Sequence, residues 1–169
     1  MTDFFEVMRQ VLVPMFCKET QLGRSLRSNK LAFNKQLLNS IMELANKADD
    51  LTLRNEDIRA RIRQISKDNE VSIGQAQKVI NVYLKYYCIL RQKPEEVLKE
   101  LDCPLDSQIM TKFKTKGVRR TSLKNMTEFS NYVAWQEHLE REGNGIRLKP
   151  DIETYDMGRI NSFLGKDTK

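Results

Sequence analysis

Lys78 and Asp106 are the residues of this chain whose types and surroundings best suit chemistry at a sugar carbon. Lys78 stands four residues after Gly74, at the head of the apolar run VINVYLKYYCIL, and Asp106 follows it by 28 residues (106 − 78) in the turn DCPLDS. An amine held neutral in a dry pocket is a nucleophile for an anomeric carbon. A carboxylate beside it stabilises the positive charge that develops on the sugar as a base departs. Each residue also has a plainer use. Lys78 can be an ordinary surface lysine, although near a positive helix N-terminus it gains from a partner. Asp106 can be a helix N-cap, and it serves both purposes only if one carboxylate oxygen stays free. Gly74 allows backbone to approach a ligand closely, and helix-start N–H groups attract an anion such as a DNA phosphate; the glycine can equally make only a tight turn.

Other chemistries have little material. His138 is the only histidine, and Cys17, Cys88 and Cys103 show no CxxC spacing, so neither a zinc site nor a Ser-His-Asp triad is expected. No metal and no cofactor are implied. The 29 basic and 23 acidic side chains leave a formal charge of +6, which leans towards a polyanionic partner. The longest apolar run, from Val79 to Leu90, is interrupted by Asn81 and Lys85 and is too short to span a membrane. The N-terminus MTDFFEVMRQ carries early acids and lacks a basic n-region, so the reading is cytoplasmic, nucleoid-associated if the source is prokaryotic.

The elements that must position Lys78 and Asp106 follow from periodicity. Few glycines and prolines among many helix formers predict an all-α fold, with residues 1–169 as one compact helical domain. Helices are expected over residues 3–13, and from an Asn29 cap through Leu37, Leu38, Ile41, Leu44 and Ala45 to Asp49. A third begins near Asn55, with Ile58, Ile62 and Ile65 inward and Arg59, Arg61, Arg63 and Lys67 on the other faces. Those cations read as a solvated surface ahead of a DNA-facing stripe. The helix from Ile73 to about Arg91 is apolar nearly all round, which predicts a central helix packed on every side. PEEVLKEL forms a short helix, Asp106 or Ser107 caps SQIMTKF, and KTKGVRRTSLKN is a basic loop. Thr127 and Glu128 open a helix to about Arg141, with Phe129, Val133 and Ala134 inward and Leu139 beside them; YDMGRINSFL supplies a last short helix.

The strings SIGQAQKVINVYLKYY and DCPLDSQIM resemble the core of the helix-hairpin-helix DNA glycosylases, closest to the archaeal 8-oxoguanine enzymes. The resemblance covers roughly residues 55 to 113. It implies a hairpin at Gly74, Gln75, Ala76 and Gln77 that grips the DNA backbone, Lys78 as nucleophile and Asp106 as the essential carboxylate. The family's usual hairpin has two glycines where this chain has Gly74 alone, and no four-cysteine iron–sulfur motif is present. A double-stranded DNA partner with a flipped base is then expected. Tyr132, Trp135 and Tyr155 are the candidates to hold that base, with core packing as the alternative for the first two. Lys112, Lys114, Lys116, Arg119 and Arg120 are candidate phosphate contacts, with a solvated linker as the alternative. The implied activity is excision of a modified base, with or without lyase activity. The rival readings are a non-catalytic helical nucleic-acid-binding protein, regulatory or linked to phage or defence, and a protein-interaction module.

Overall fold

A computed structural model describes residues 30–156, with side chains over 35–154. The expected helix at 3–13, the Asn29 cap and most of the expected C-terminal helix lie outside the described residues. The architecture is all-α: α1 Lys30–Asp49, α2 Asn55–Asn69, α3 Ile73–Leu90, α4 Glu95–Glu100, α5 Ser107–Lys112, α6 Phe129–Glu142 and the single turn α7 Lys149–Asp151. A 3-10 turn at Leu123–Asn125 and a π-helical turn at Ile152–Asp156 complete it. Among the described residues no helix is long and apolar enough to cross a membrane.

Apolar residues spaced by three and four put Leu37, Ile41, Leu44, Ala45 and Ala48 of α1 and Ile58, Ile62 and Ile65 of α2 on inward faces. Both helices pack on α3, which also meets α4, α6 and the 3-10 turn. Helix α3 is central over its first four turns and then emerges: Cys88 is buried, whereas Ile89 and Leu90 are 38% and 76% exposed. The expectation of neighbours on every side is therefore corrected at its last turn. Charge closes that end, where Asp49 of α1 accepts from Tyr87 Oη at 2.6 Å and pairs with Lys93 Nζ at 2.6 Å.

The glycine signal has a different cause from the one expected. The α2–α3 connection is Glu70-Val71-Ser72, and its left-handed residue is Glu70 (φ 54°), not Gly74. Ser72 caps α3 through Gln75 N, and Gln75 Oε1 accepts from Ser72 N in return. Gly74 and Gln75 lie within the first turn, where Gly74 N donates to Met126 O at 3.1 Å and Ser72 Oγ donates to Leu123 O at 2.6 Å. The 3-10 turn thus sits on the head of α3, and a Cβ at Gly74 would fall 2.3 Å from Leu123 O. Gly→Ala within a helix ordinarily stabilises by roughly 0.5–1 kcal/mol. Here the sign should reverse: Gly74→Ala is expected to lose about 1–3 kcal/mol, read from urea denaturation, and a gain in stability would contradict this packing.

Candidate active site

The site is built on the segment 101–106, which joins α4 to α5 without regular structure. Leu101 to Leu105 are all buried, so every polar group of that segment needs an internal partner. The side chain of Asp102 is fully enclosed. Its Oδ1 accepts from Asn55 Nδ2 at 2.8 Å and Arg59 Nη2 at 3.2 Å. Its Oδ2 accepts from Arg59 Nε at 3.0 Å and Tyr132 Oη at 2.7 Å. Arg147 Nε stands 3.0 Å from Oδ1, and the same guanidinium donates to Leu101 O and Lys99 O. Burial, with the Asp102 carboxylate alongside, pushes the Tyr132 phenol well above its usual range and keeps it a neutral donor.

Two side-chain amides hold the main chain beyond Asp102. Gln136 of α6 accepts from Cys103 N at 2.8 Å and donates to Cys103 O at 2.9 Å. Gln77 of α3 accepts from Leu105 N at 3.1 Å and donates to Leu105 O at 2.9 Å. Pro104 sits between these clamped residues, where its missing N–H leaves nothing unpaired. The chain therefore reaches Asp106 with little freedom. Asp106 Oδ1 caps α5 by accepting from Gln108 N and Ile109 N, both at 2.9 Å. Its Oδ2 accepts from Lys78 Nζ at 3.0 Å. The two side chains are 17% and 15% exposed, so the pair opens onto solvent while most of it is covered. One oxygen caps and the other faces the amine, which is the division that a dual role requires.

The remaining expected site residues fall into two groups. Gln77 is fully buried and Gly74 and Gln75 are committed to the packing and capping of α3, so these three are corrected from phosphate contacts to structural positions. Their N–H groups are occupied as well, because Gly74 N bonds Met126 O and Gln75 N bonds Ser72 Oγ. Tyr132 and Trp135 are fully buried, with Tyr132 Oη bonded to Asp102 and Asn81 and Trp135 Nε1 donating to Arg119 O. They are corrected from base-holding to core positions. The inner face of α6 is accordingly Tyr132, Trp135, Gln136, His138 and Leu139, with Phe129, Val133 and Ala134 half-buried. Two large rings whose polar tips both find hydrogen-bond partners outcompete three smaller or less enclosed side chains for the core. The backbone of Tyr155 lies in the π-helical turn, and its side chain is outside the described residues.

Lys112, Lys114, Lys116, Arg119 and Arg120 are exposed, as is Lys124. Residues 107 to 127 contain no acid. Their path is fixed: His138 Nε2 donates to Phe113 O, Trp135 Nε1 and Asn131 Nδ2 donate to Arg119 O, and Ser72 Oγ holds Leu123 O. The basic run begins at the end of the helix that Asp106 caps and finishes on the head of the helix that carries Lys78. Between those two helices it forms a pinned, exposed run of positive charge.

Sequence reasoning did not assign Asp102, Asn81, Gln136 or Arg147, and it placed Arg59 on the surface. One signal was available. Gln77, Asn81 and Lys85 recur every four residues along the most apolar helix, and all three are buried. Lys85 pairs with Asp151 at 2.7 Å. Among the described residues no group of three or more histidine, cysteine or acidic side chains could hold a metal ion. Burial pushes the Cys88 thiol up to about 12 and that of Cys103 well above its ordinary range, so neither is a nucleophile at neutral pH.

Comparison with protein-family models, curated proteins and solved structures finds no match for this chain. The site's framework is open to direct test. Asp102→Asn keeps the shape but removes the charge that two guanidiniums share. It is expected to lower the unfolding free energy by about 3–5 kcal/mol, measured by urea denaturation, and near-neutral behaviour would show that the hub is not a charge-compensated centre.

Proposed function

We infer that this chain is a small DNA glycosylase with lyase activity, in which Lys78 is the nucleophile and Asp106 its carboxylate partner. The observation that carries the reading is the 3.0 Å contact between Lys78 Nζ and Asp106 Oδ2, partly open to solvent and backed by a segment clamped at Leu101, Cys103 and Leu105. The likeness of SIGQAQK and CPLDS to the helix-hairpin-helix glycosylases supports it, as does a short α2–α3 connection placing a lysine near the start of an apolar helix.

In this mechanism Lys78 reacts as the neutral amine, its ammonium proton having passed to solvent, while Asp106 stays a carboxylate, and the lone pair attacks C1′ of the target nucleotide. The C1′–N bond breaks, its electron pair leaves with the base, and the base takes a proton. Asp106 stabilises the positive charge that grows on the sugar before the C–N bond to lysine is complete. Opening of the sugar ring then gives a Schiff base between Lys78 and C1′, which water hydrolyses after elimination of the 3′ phosphate. The exposed cations from Lys112 to Lys124 contact phosphates, which holds the duplex without choosing its sequence.

Borohydride should trap the wild-type protein on an abasic-site duplex, and Lys78→Gln should abolish the covalent product. Asp106→Asn should slow base release by roughly a hundredfold or more, as the loss of a charge stabiliser in the transition state does. Undiminished trapping by the Lys78→Gln protein would remove this lysine from the chemistry.

A second reading is favoured by one feature, the acid-free cationic edge, because it does not depend on the pair. Here the chain binds nucleic acid without chemistry, and Lys78–Asp106 is a clasp between α3 and α5. Both readings expect binding that weakens with salt. Each alanine replacement among Lys114, Lys116, Arg119 and Arg120 that removes a phosphate contact should flatten the log–log salt slope by about 0.9. A slope unchanged in the fourfold variant would take this edge out of the interface. Only the enzyme reading expects trapping.

A further inference from the structure

The geometry points to Gln77 as the positioning residue of the Lys78–Asp106 pair, acting through the main chain of Leu105. Its catalytic consequence rests on the enzyme reading above; its structural content does not.

Gln77 is fully buried in the first turns of an apolar helix, where an apolar side chain of similar volume would fill the space. A buried primary amide is costly unless its two donors and two acceptor sites are used. All four are. Nε2 donates to Leu105 O at 2.9 Å and Gly74 O at 3.1 Å. Oε1 accepts from Leu105 N at 3.1 Å and Asn81 Nδ2 at 3.1 Å. The amide therefore reads both main-chain groups of one residue, as a neighbouring strand would, and Asn81 orients it from one helical turn away.

Adjacency gives the clamp its function. Gln77 precedes Lys78 on α3 and Leu105 precedes Asp106, so the clamp and the ion pair are consecutive rungs, each joining residues 28 apart. Lysine has a flexible four-carbon stem and can follow its partner. The rigid member of the pair is Asp106, whose Oδ1 is tied to the start of α5. Without the Gln77 rung, Leu105 loses its hold on α3 and Asp106 Oδ2 can turn from the point where the amine must meet C1′. Gln136 makes the same pair of hydrogen bonds to Cys103, further from the carboxylate and from a different helix.

Two readouts separate this role from the chemistry. A zero-length carbodiimide joins an amine to a carboxylate only where the two are in contact, so the Lys78–Asp106 cross-link, quantified by peptide mass spectrometry, reports the pair without substrate. Borohydride trapping on an abasic duplex, followed across pH, reports its use. Gln77→Met is expected to keep the helical spectrum and a cooperative melt, to lose most of the cross-link, and to trap roughly ten- to a hundredfold more slowly, with an altered pH profile. Gln77→Glu keeps the acceptor for Leu105 N–H but not the donor, and should fall between. Ile41→Val, which deletes a buried methyl of α1, should lower stability while leaving the cross-link and the pH profile as in the wild type.

Wild-type cross-linking and pH profile in either folded Gln77 variant would overturn the assignment. So would fast hydrogen exchange of the Leu105 amide in the folded wild type, a measurement that needs no variant. A cross-link that depends on Gln77 in a protein that never traps DNA would uphold the positioning role and defeat the enzyme reading. Trapping that is indifferent to Gln77 would do the reverse.

Discussion

The structure around the candidate site depends on one buried charge. Asp102 is enclosed with the buried guanidinium of Arg147 and the half-buried one of Arg59, and a carboxylate in that position could not be buried alone at tolerable cost. The group is satisfied because it is shared: Arg59 and Asn55 come from α2, Tyr132 from α6, and Arg147 from the stretch before α7. Three separate parts of the chain must therefore converge on the segment between α4 and α5. An apolar contact would hold them as strongly but would accept many relative positions. A carboxylate with directional partners accepts few, and that selectivity is what a site four residues further on requires.

From that hub, order is passed along the chain in steps. Arg147 fixes the carbonyls of Lys99 and Leu101, Gln136 fixes Cys103, Gln77 fixes Leu105, and the cap fixes Asp106. Leu101, Cys103 and Leu105 of this buried stretch are each anchored by a side chain rather than by a neighbouring strand. This explains why the core contains amides and guanidiniums where apolar residues would pack. It also explains why α3 is apolar over most of its surface yet carries Gln77, Asn81 and Lys85 in one stripe.

What was legible in the sequence was local. The cap at Asp106, the isoleucine ladder of α2 and the span of α3 are set by residues within a turn or two of one another, and periodicity reads such relations directly. The lysine and aspartate were legible as types at helix starts, and the structure brings them to 3.0 Å. The meaning of Gly74 was not, because its neighbour is Leu123, and only the folded chain shows that a backbone oxygen occupies the place of a side chain. The inner face of α6 was misjudged for a related reason. Periodicity offers more than one stripe on that helix, and the choice was made by distant partners, Asp102 for Tyr132 and Arg119 O for Trp135. Gln77, expected in a hairpin that grips the DNA backbone, is instead buried and bonded to both main-chain groups of Leu105, 28 residues away.

The same long-range bonds connect the cationic edge to the pair. Trp135 and His138 of α6 hold the loop at Arg119 O and Phe113 O, while Tyr132 and Gln136 of that helix hold Asp102 and Cys103. This helix thus contributes both to the path of the six exposed cations and to the approach to Asp106, with Ser72 and Gln77 at the head of α3 completing the two. Phosphate contacts carry affinity without sequence information. A loop held at Phe113, Arg119 and Leu123 also has a defined path relative to the helix that carries Lys78. A mobile basic tail would supply the same charge and none of that geometry.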